Sequence, residues 1–169
     1  MSFRFVAYVA CFMLEAGSVI GTEPPAPKPA LPEWSGSVSC FVAFPGDCNA
    51  NPPMVFGGKL LAEMDRIAGI TTRRFLYNSP TGVRDAVTVA INNVKFHRSA
   101  QVKDLIVVMG HVAAVGAKSV TLVVRVERET MEKSGVVREL LVEGEFVFVS
   151  VAIDPETKQS KAVPHGLGK

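Results

Sequence analysis

Between Phe56 and Phe75 apolar residues recur every three to four positions. Leu60, Leu61, Met64, Ile67, Ala68, Thr71 and Phe75 fall within about a 100° arc of a helical wheel, the stripe that a helix turns toward a core. The spacing predicts one long helix over 56–75, ended by the turn-rich Tyr77-Asn78-Ser79-Pro80-Thr81-Gly82. Elsewhere the period drops toward two. Residues 35–44 read as a first strand, closed by a turn at Pro45-Gly46-Asp47, and four more strand-like runs cover 86–96, 105–115, 120–126 and 140–153. The third of these alternates cleanly, with Val120, Leu122, Val124 and Val126 on one face and Ser119, Thr121, Arg125 and Glu127 on the other. In the 86–96 run, Val87, Val89 and Ile91 share one parity while Val94 and Phe96 take the other, which predicts a bulge at Asn92-Asn93. Reversals are expected at Ala117-Lys118, beside Gly116, and at Lys133-Ser134-Gly135.

One long helix followed by an antiparallel meander is an α+β pattern. To bury its stripe, the helix must lie across one face of a curved sheet of about five strands, the arrangement called a hotdog.

Composition refines this picture without redirecting it. The 169 residues suit one domain with a real core; 48% are apolar and 20% charged. The formal net charge of +2 gives no basic field of the kind a nucleic-acid partner calls for. Cys11, Cys40 and Cys48 are odd in number and show no metal-ligand spacing, and His97, His111 and His165 are scattered, so neither a disulfide framework nor a metal is expected. Five prolines in 23–33 make a polyproline-like linker, so residues 1–36 are expected to be an extension, with the domain over 37–164 and a short tail at 165–169. Within the extension, Phe5 to Leu14 form an apolar run behind Arg4 that has some likeness to a signal peptide. Glu15 interrupts it, no clear A-x-A site follows, and it is too short to span a membrane. A cytoplasmic location is the expectation, with an organellar or exported one as the alternative.

Candidate chemistry concentrates in residues 44–65. A polar turn, Gly46-Asp47-Cys48-Asn49, leads to the pair Gly57-Gly58, which opens the helix, and Asp65 follows two turns inside. The first amides of a helix are unpaired and carry partial positive charge, and glycine lets a carbonyl approach them closely. From position alone, the pair serves equally well to relieve crowding against the sheet. Asp65 lies just off the apolar stripe, on a strip shared with Gly58, Ala62, Gly69 and Thr72, where small residues leave room for a neighbouring helix or a ligand. A solvated aspartate is the bland alternative.

The segment Phe56-Gly57-Gly58-Lys59-Leu60-Leu61-Ala62-Glu63-Met64-Asp65 resembles the helix opening of hotdog-fold acyl-coenzyme A thioesterases. Val87-Thr88-Val89 through Asn93-Val94-Lys95-Phe96-His97-Arg98, Val115-Gly116-Ala117-Lys118-Ser119-Val120, and Phe146-Val147-Phe148-Val149 through Asp154 with Val163-Pro164 match later segments of that family in order. The resemblance covers about 37–164. It implies thioester hydrolysis with Asp65 as the water-activating base, Gly57 and Gly58 as oxyanion donors, and Asn49 facing the partner's aspartate. The loop is one residue longer than the family's and carries Pro52-Pro53, so Asn51 competes with Asn49 for that role. His97, Arg98, Lys118 and Ser119 match positions lining the coenzyme A groove, with Lys118 standing where many members have arginine. Coenzyme A is part of the substrate, and no separate cofactor is implied.

Gly58 and Asp65 are seven residues apart, about 10 Å along a helix axis, too far to act on one carbonyl within one helix. The site is therefore expected to combine two subunits of a homodimer, as in the family, where dimers commonly assemble further into trimers of dimers. Cys48 has no histidine placed to activate it and is read as a bystander. Three other readings remain. One is a non-catalytic acyl-coenzyme A sensor and another a mainly structural dimer. The third, a hydratase or dehydratase, is weakened because 50–56 lacks the histidine that those enzymes need.

Overall fold

A computed structural model of the chain describes residues 36–49 and 51–168. The expectations for the apolar run and the proline linker lie outside these residues. The elements are β1 (Gly36–Val42), a short 3-10 turn (Pro45–Asp47), α1 (Gly57–Leu76), β2 (Asp85–Phe96), β3 (Leu105–Val115), β4 (Ser119–Glu132), β5 (Gly135–Ile153) and β6 (Ser160–Ala162). The expected α+β hotdog is what forms. The sheet order is β1-β3-β4-β5-β2, every pairing is antiparallel, and β6 adds to the end of β5.

Alternation builds the sheet's inner face, and α1 lies across it. Leu60, Met64, Ile67, Ala68, Thr71 and Phe75 are buried as the stripe requires, joined by Thr72 and Leu76, while Leu61 is half-buried. They meet Ile106, Val108, Val112, Leu122, Val124, Val126, Phe146 and Phe148 in one core. Gly110 lets the helix come close, because a Cβ there would stand 2.8 Å from Ile67 Cγ2. Gly69 differs. A mid-helix glycine costs about 1 kcal/mol relative to alanine, yet a Cβ at Gly69 would meet only Phe148, at 3.8 and 3.9 Å, an ordinary contact. Phe146 is fully buried at the centre of the core. Phe146→Ala is therefore expected to cost about 3–5 kcal/mol, read as a lower denaturant midpoint with an unchanged slope.

Two features go beyond the expected pattern. β4 and β5 run on past Val126 and before Leu140 into a two-stranded arm ending in the turn before Gly135. Charged residues there stand beside exposed Met131, Val136 and Val137, and ion pairs hold the arm: Arg138 to Glu129 at 2.9 Å, and Arg128 to Glu139 and, at 3.3 Å, to Asp104 just before β3. The second feature is the tail, where His165 is fully buried and stands edge-on to Phe75. The Ser79 hydroxyl donates to the His165 carbonyl at 2.6 Å, and the His165 amide donates to Ala117 O at 3.3 Å. Leu167 N–H donates to His165 Nδ1 at 3.1 Å, which leaves Nε2 as the protonated nitrogen facing Ser119 O at 3.4 Å.

β2 is one edge of the sheet. Its register with β5 shifts at Asn92/Lys95, as the parity change predicts, with Asn93 in the left-handed region at φ 53°. A second shift, between Thr88 and Ala90, has no counterpart in the parity pattern. Val87, Val89 and Ile91 stand 44%, 54% and 45% exposed along this edge. An apolar edge strand of this kind is a template for pairing.

Candidate active site

The loop before α1 folds back on itself. Phe56 N–H donates to Asp47 O and Asn49 N–H to Met54 O, both at 2.9 Å, which sets Asn49 beside the tip. Asn51 lies at the tip itself, before a cis bond to Pro52, and both asparagines are exposed. Asp47 stabilises the loop: its carboxylate accepts from Phe44 N–H at 3.0 Å and pairs with Lys59 at 3.4 Å. The Phe44 amide, more than Lys59, holds the Asp47 carboxyl below the ordinary carboxylate range. Lys59 also pairs with Glu63 at 3.1 Å, tying the loop to the helix. Burial, then the charges of Asp47 and Asp104, push the Cys48 thiol up, and its Sγ contacts Phe44 O at 3.4 Å. A protonated thiol is a poor nucleophile.

At the helix start, Lys59 N–H already donates to Phe56 O at 2.9 Å, whereas the Gly57 and Gly58 amides have no acceptor among the described residues. Both glycines also accommodate aromatic rings. A Cβ on Gly58 would stand 2.4 Å from Phe56 Cε1, and one on Gly57 would stand 3.3 Å from Phe96 Cε1. Packing relief and amide exposure therefore coexist at the same pair. Phe56 and Phe96 are 57% and 53% exposed, so the open amides lie in an apolar surround.

Asp65 is half-buried, and its Oδ1 accepts a 2.8 Å hydrogen bond from the Thr88 hydroxyl on β2. The bond orients the carboxylate toward the sheet's open edge. Thr88 is the residue that reading by candidate chemistry passed over. A threonine in a strand carries no signal of its own, although it sits inside the Val87-Thr88-Val89 segment that carries part of the resemblance. Gly57, against Phe96, and Asp65, against Thr88, thus lie near opposite ends of β2.

The proposed groove residues are also divided. His97 N–H donates to Leu141 O at 2.8 Å, while Ser119 is paired with Val149. Eight residues of β5 separate those two positions, about 26 Å of strand. Within one chain, His97 and Arg98 are therefore not brought together with Lys118 and Ser119. His97 lies 3.2 Å from Glu143, and Arg98 pairs with Glu139 at 2.6 Å. Lys118 O accepts from Ser150 N–H at 2.8 Å and from its hydroxyl at 3.0 Å, fixing the hairpin while leaving the ammonium exposed.

On the sheet's outer face, neighbouring groups thin the water around exposed His111 and push its pKa below 6.5, with the Arg125 charge as the second cause. The folded chain thus binds fewer protons there than the unfolded chain does. Stability is fully present above the unfolded value near 6.5 and is lost as pH falls from there through the folded value. We expect the melting temperature to decline over that window and His111→Gln to flatten the decline; an unchanged slope would refute this assignment.

Among the described residues, no group of three or more His, Cys, Asp or Glu is placed to hold a metal, and no helix is long and apolar enough to cross a membrane.

Comparison with known proteins gives one consistent result. The family model described as the Thioesterase superfamily matches residues 53–134. An uncharacterized acyl-CoA thioester hydrolase of Buchnera aphidicola is 27% identical over 75% of this chain and 87% of its own. A hexameric acyl-CoA thioesterase solved without ligand is 31% identical, covering 78% of this chain and 77% of that one, with a TM-score of 0.62. The acyl-CoA hydrolase of Staphylococcus aureus, solved with butyryl coenzyme A and coenzyme A, is 26% identical over 78% of this chain and 73% of that one, also at 0.62.

Proposed function

The chain belongs to the hotdog-fold acyl-coenzyme A thioesterases, and from that premise we propose that it hydrolyses fatty acyl-coenzyme A to free acid and thiol at sites shared between two copies of itself. The observation that carries the reading is the Asp65 carboxylate, held at 2.8 Å by Thr88 on the uncovered edge of β2. There it can take a proton from a water attacking a thioester carbonyl. The Gly57 and Gly58 amides meet the developing oxyanion at the start of another subunit's helix.

Two-fold pairing at β2 accounts for both divisions in the site. An antiparallel pair of β2 edges centred near Asn92 sets Phe96, which touches Gly57, beside the partner's Thr88, which holds its Asp65. The same pairing carries His97 and Arg98 toward the row of the other subunit that holds Val87, Val149 and Ser119. A coenzyme A lying across that seam would meet cations from both copies. Some of the related structures, among them the ligand-free acyl-CoA thioesterase, are hexameric, so these dimers are expected to associate further.

Asp65 is the base and Thr88 its orienting donor, while Asn49, rather than the tip residue Asn51, helps hold the water or carbonyl. Lys118 presents a point charge to phosphate in place of a guanidinium fork. Incubating the protein with acyl-coenzyme A esters and following free thiol tests the reading. Steady release above the uncatalysed rate supports it, and binding without release would favour a sensor.

A further inference from the structure

We infer that His165 is a positioning residue for coenzyme A: from behind the hairpin between β3 and β4, it fixes the backbone that presents Lys118 to the phosphates of the substrate. This role rests on the thioesterase reading and adds to it a buried group that touches no substrate.

Three successive carbonyls of the hairpin are held from the tail and from β5. The His165 N–H donates to Ala117 O at 3.3 Å, and its Nε2–H faces Ser119 O at 3.4 Å. One residue thus grips both carbonyls that flank Lys118. The carbonyl of Lys118 itself is taken by Ser150, whose hydroxyl also lies 2.5 Å from Val163 O in the tail. Only the Lys118 side chain is left exposed and unheld. Its long stem must be ordered when the ammonium meets an anion, so a backbone already fixed lowers the cost of that contact.

The imidazole is held as closely as it holds. It is fully buried, edge-on to Phe75, with Leu167 N–H donating to Nδ1 at 3.1 Å. Gly166 makes the reversal that brings Leu167 back to the ring, at φ 69°, where a side chain would be strained. Beyond it, Gly168 lies directly on the hairpin, and a Cβ there would overlap Gly116 O. Anchoring the tail asks for none of this. β6 already pairs with β5, Val163 N–H donates to Ser150 O at 3.0 Å, and Leu167 packs on the core. A phenyl ring would fill the same buried space. What imidazole adds is a donor for Ser119 O and an acceptor for Leu167.

The test compares octanoyl-coenzyme A with octanoyl-pantetheine, which lacks the phosphates. Both are given to wild type, His165→Phe, His165→Gln, Lys118→Ala and the double variant Lys118→Ala/His165→Phe. His165→Phe is expected to raise KM for octanoyl-coenzyme A about tenfold at unchanged kcat, the scale of one or two hydrogen bonds. Hydrolysis of octanoyl-pantetheine should not change. His165→Gln, which keeps a donor and an acceptor, is expected to recover most of the loss. Once Lys118 is removed, His165→Phe should add less than about twofold, because the two residues act through one contact. If His165→Phe does not fold, Gly168→Ala applies the same comparison by displacing the hairpin directly. Equal losses on both substrates, or an undiminished loss in the Lys118→Ala background, overturn the inference and leave the tail a support of the fold. If no thiol is released from either ester, binding of coenzyme A itself separates the two readings. Weaker binding by His165→Phe, but only while Lys118 is present, keeps the positioning role and removes the hydrolase. Binding indifferent to His165 removes the role, and no binding by wild type removes both.

Discussion

Asp65→Ala should lower thiol release from acyl-coenzyme A by about 10²–10⁴-fold, the usual contribution of a positioned general base, while leaving the fold intact. Both halves follow from where the residue sits. The carboxylate is half-buried, and its recorded side-chain partner is the Thr88 hydroxyl, which is exposed and can turn to water. Alanine is also a better helix former than aspartate by a few tenths of a kcal/mol. The loss would therefore be chemical, and unchanged melting would show it. Asp65→Asn sharpens the test because it keeps an acceptor for Thr88 and removes only the proposed base. Wild-type rates in both variants, with ligand still bound, would assign the water's activation elsewhere.

Two inactive variants should restore each other. Asp65→Ala removes the proposed base, and Gly58→Val crowds the open amides with a branched side chain that must also displace the Phe56 ring. Losing an oxyanion donor typically costs 10²–10³-fold, so each variant alone should be nearly silent. In a mixed dimer, one site takes Gly58 from the first chain and Asp65 from the second and is whole, while the other site carries both lesions. Random mixing makes half the dimers mixed, so about one quarter of the sites are intact and about one quarter of wild-type activity returns. A site contained within one chain predicts no recovery. Co-expressing the two chains and assaying the unfractionated mixture would decide between the two.

The helix was legible because burial on one side of a rod imposes a period that few other structures share, and the strand at 120–126 because its outer residues, Val123 apart, are polar. The charged arm beyond Val126 was not, since Glu129, Arg138, Arg128 and Glu139 hold it by pairing with one another, and charge has no period until the partner strand is known. The site divides along the same line. Asp65 and the glycine pair stand out by residue type and place on the helix. The separation of His97 from Ser119 depends on the register of each with β5, which no local pattern encodes. Thr88 became visible only when the strand was set against the helix.

The order of the strands also has a consequence during synthesis. Among the described residues β5 is the only partner of β2, and residues 97–134 lie between them. At typical translation rates those 38 residues take about 2–8 s to make. Throughout that interval, a strand bearing Val87, Val89 and Ile91 has neither edge satisfied. It is the same strand that is proposed to pair with a second subunit. On a crowded polysome, a neighbouring nascent chain offers it a match before its own β5 exists, so chaperone demand should peak as residues 97–134 leave the ribosome.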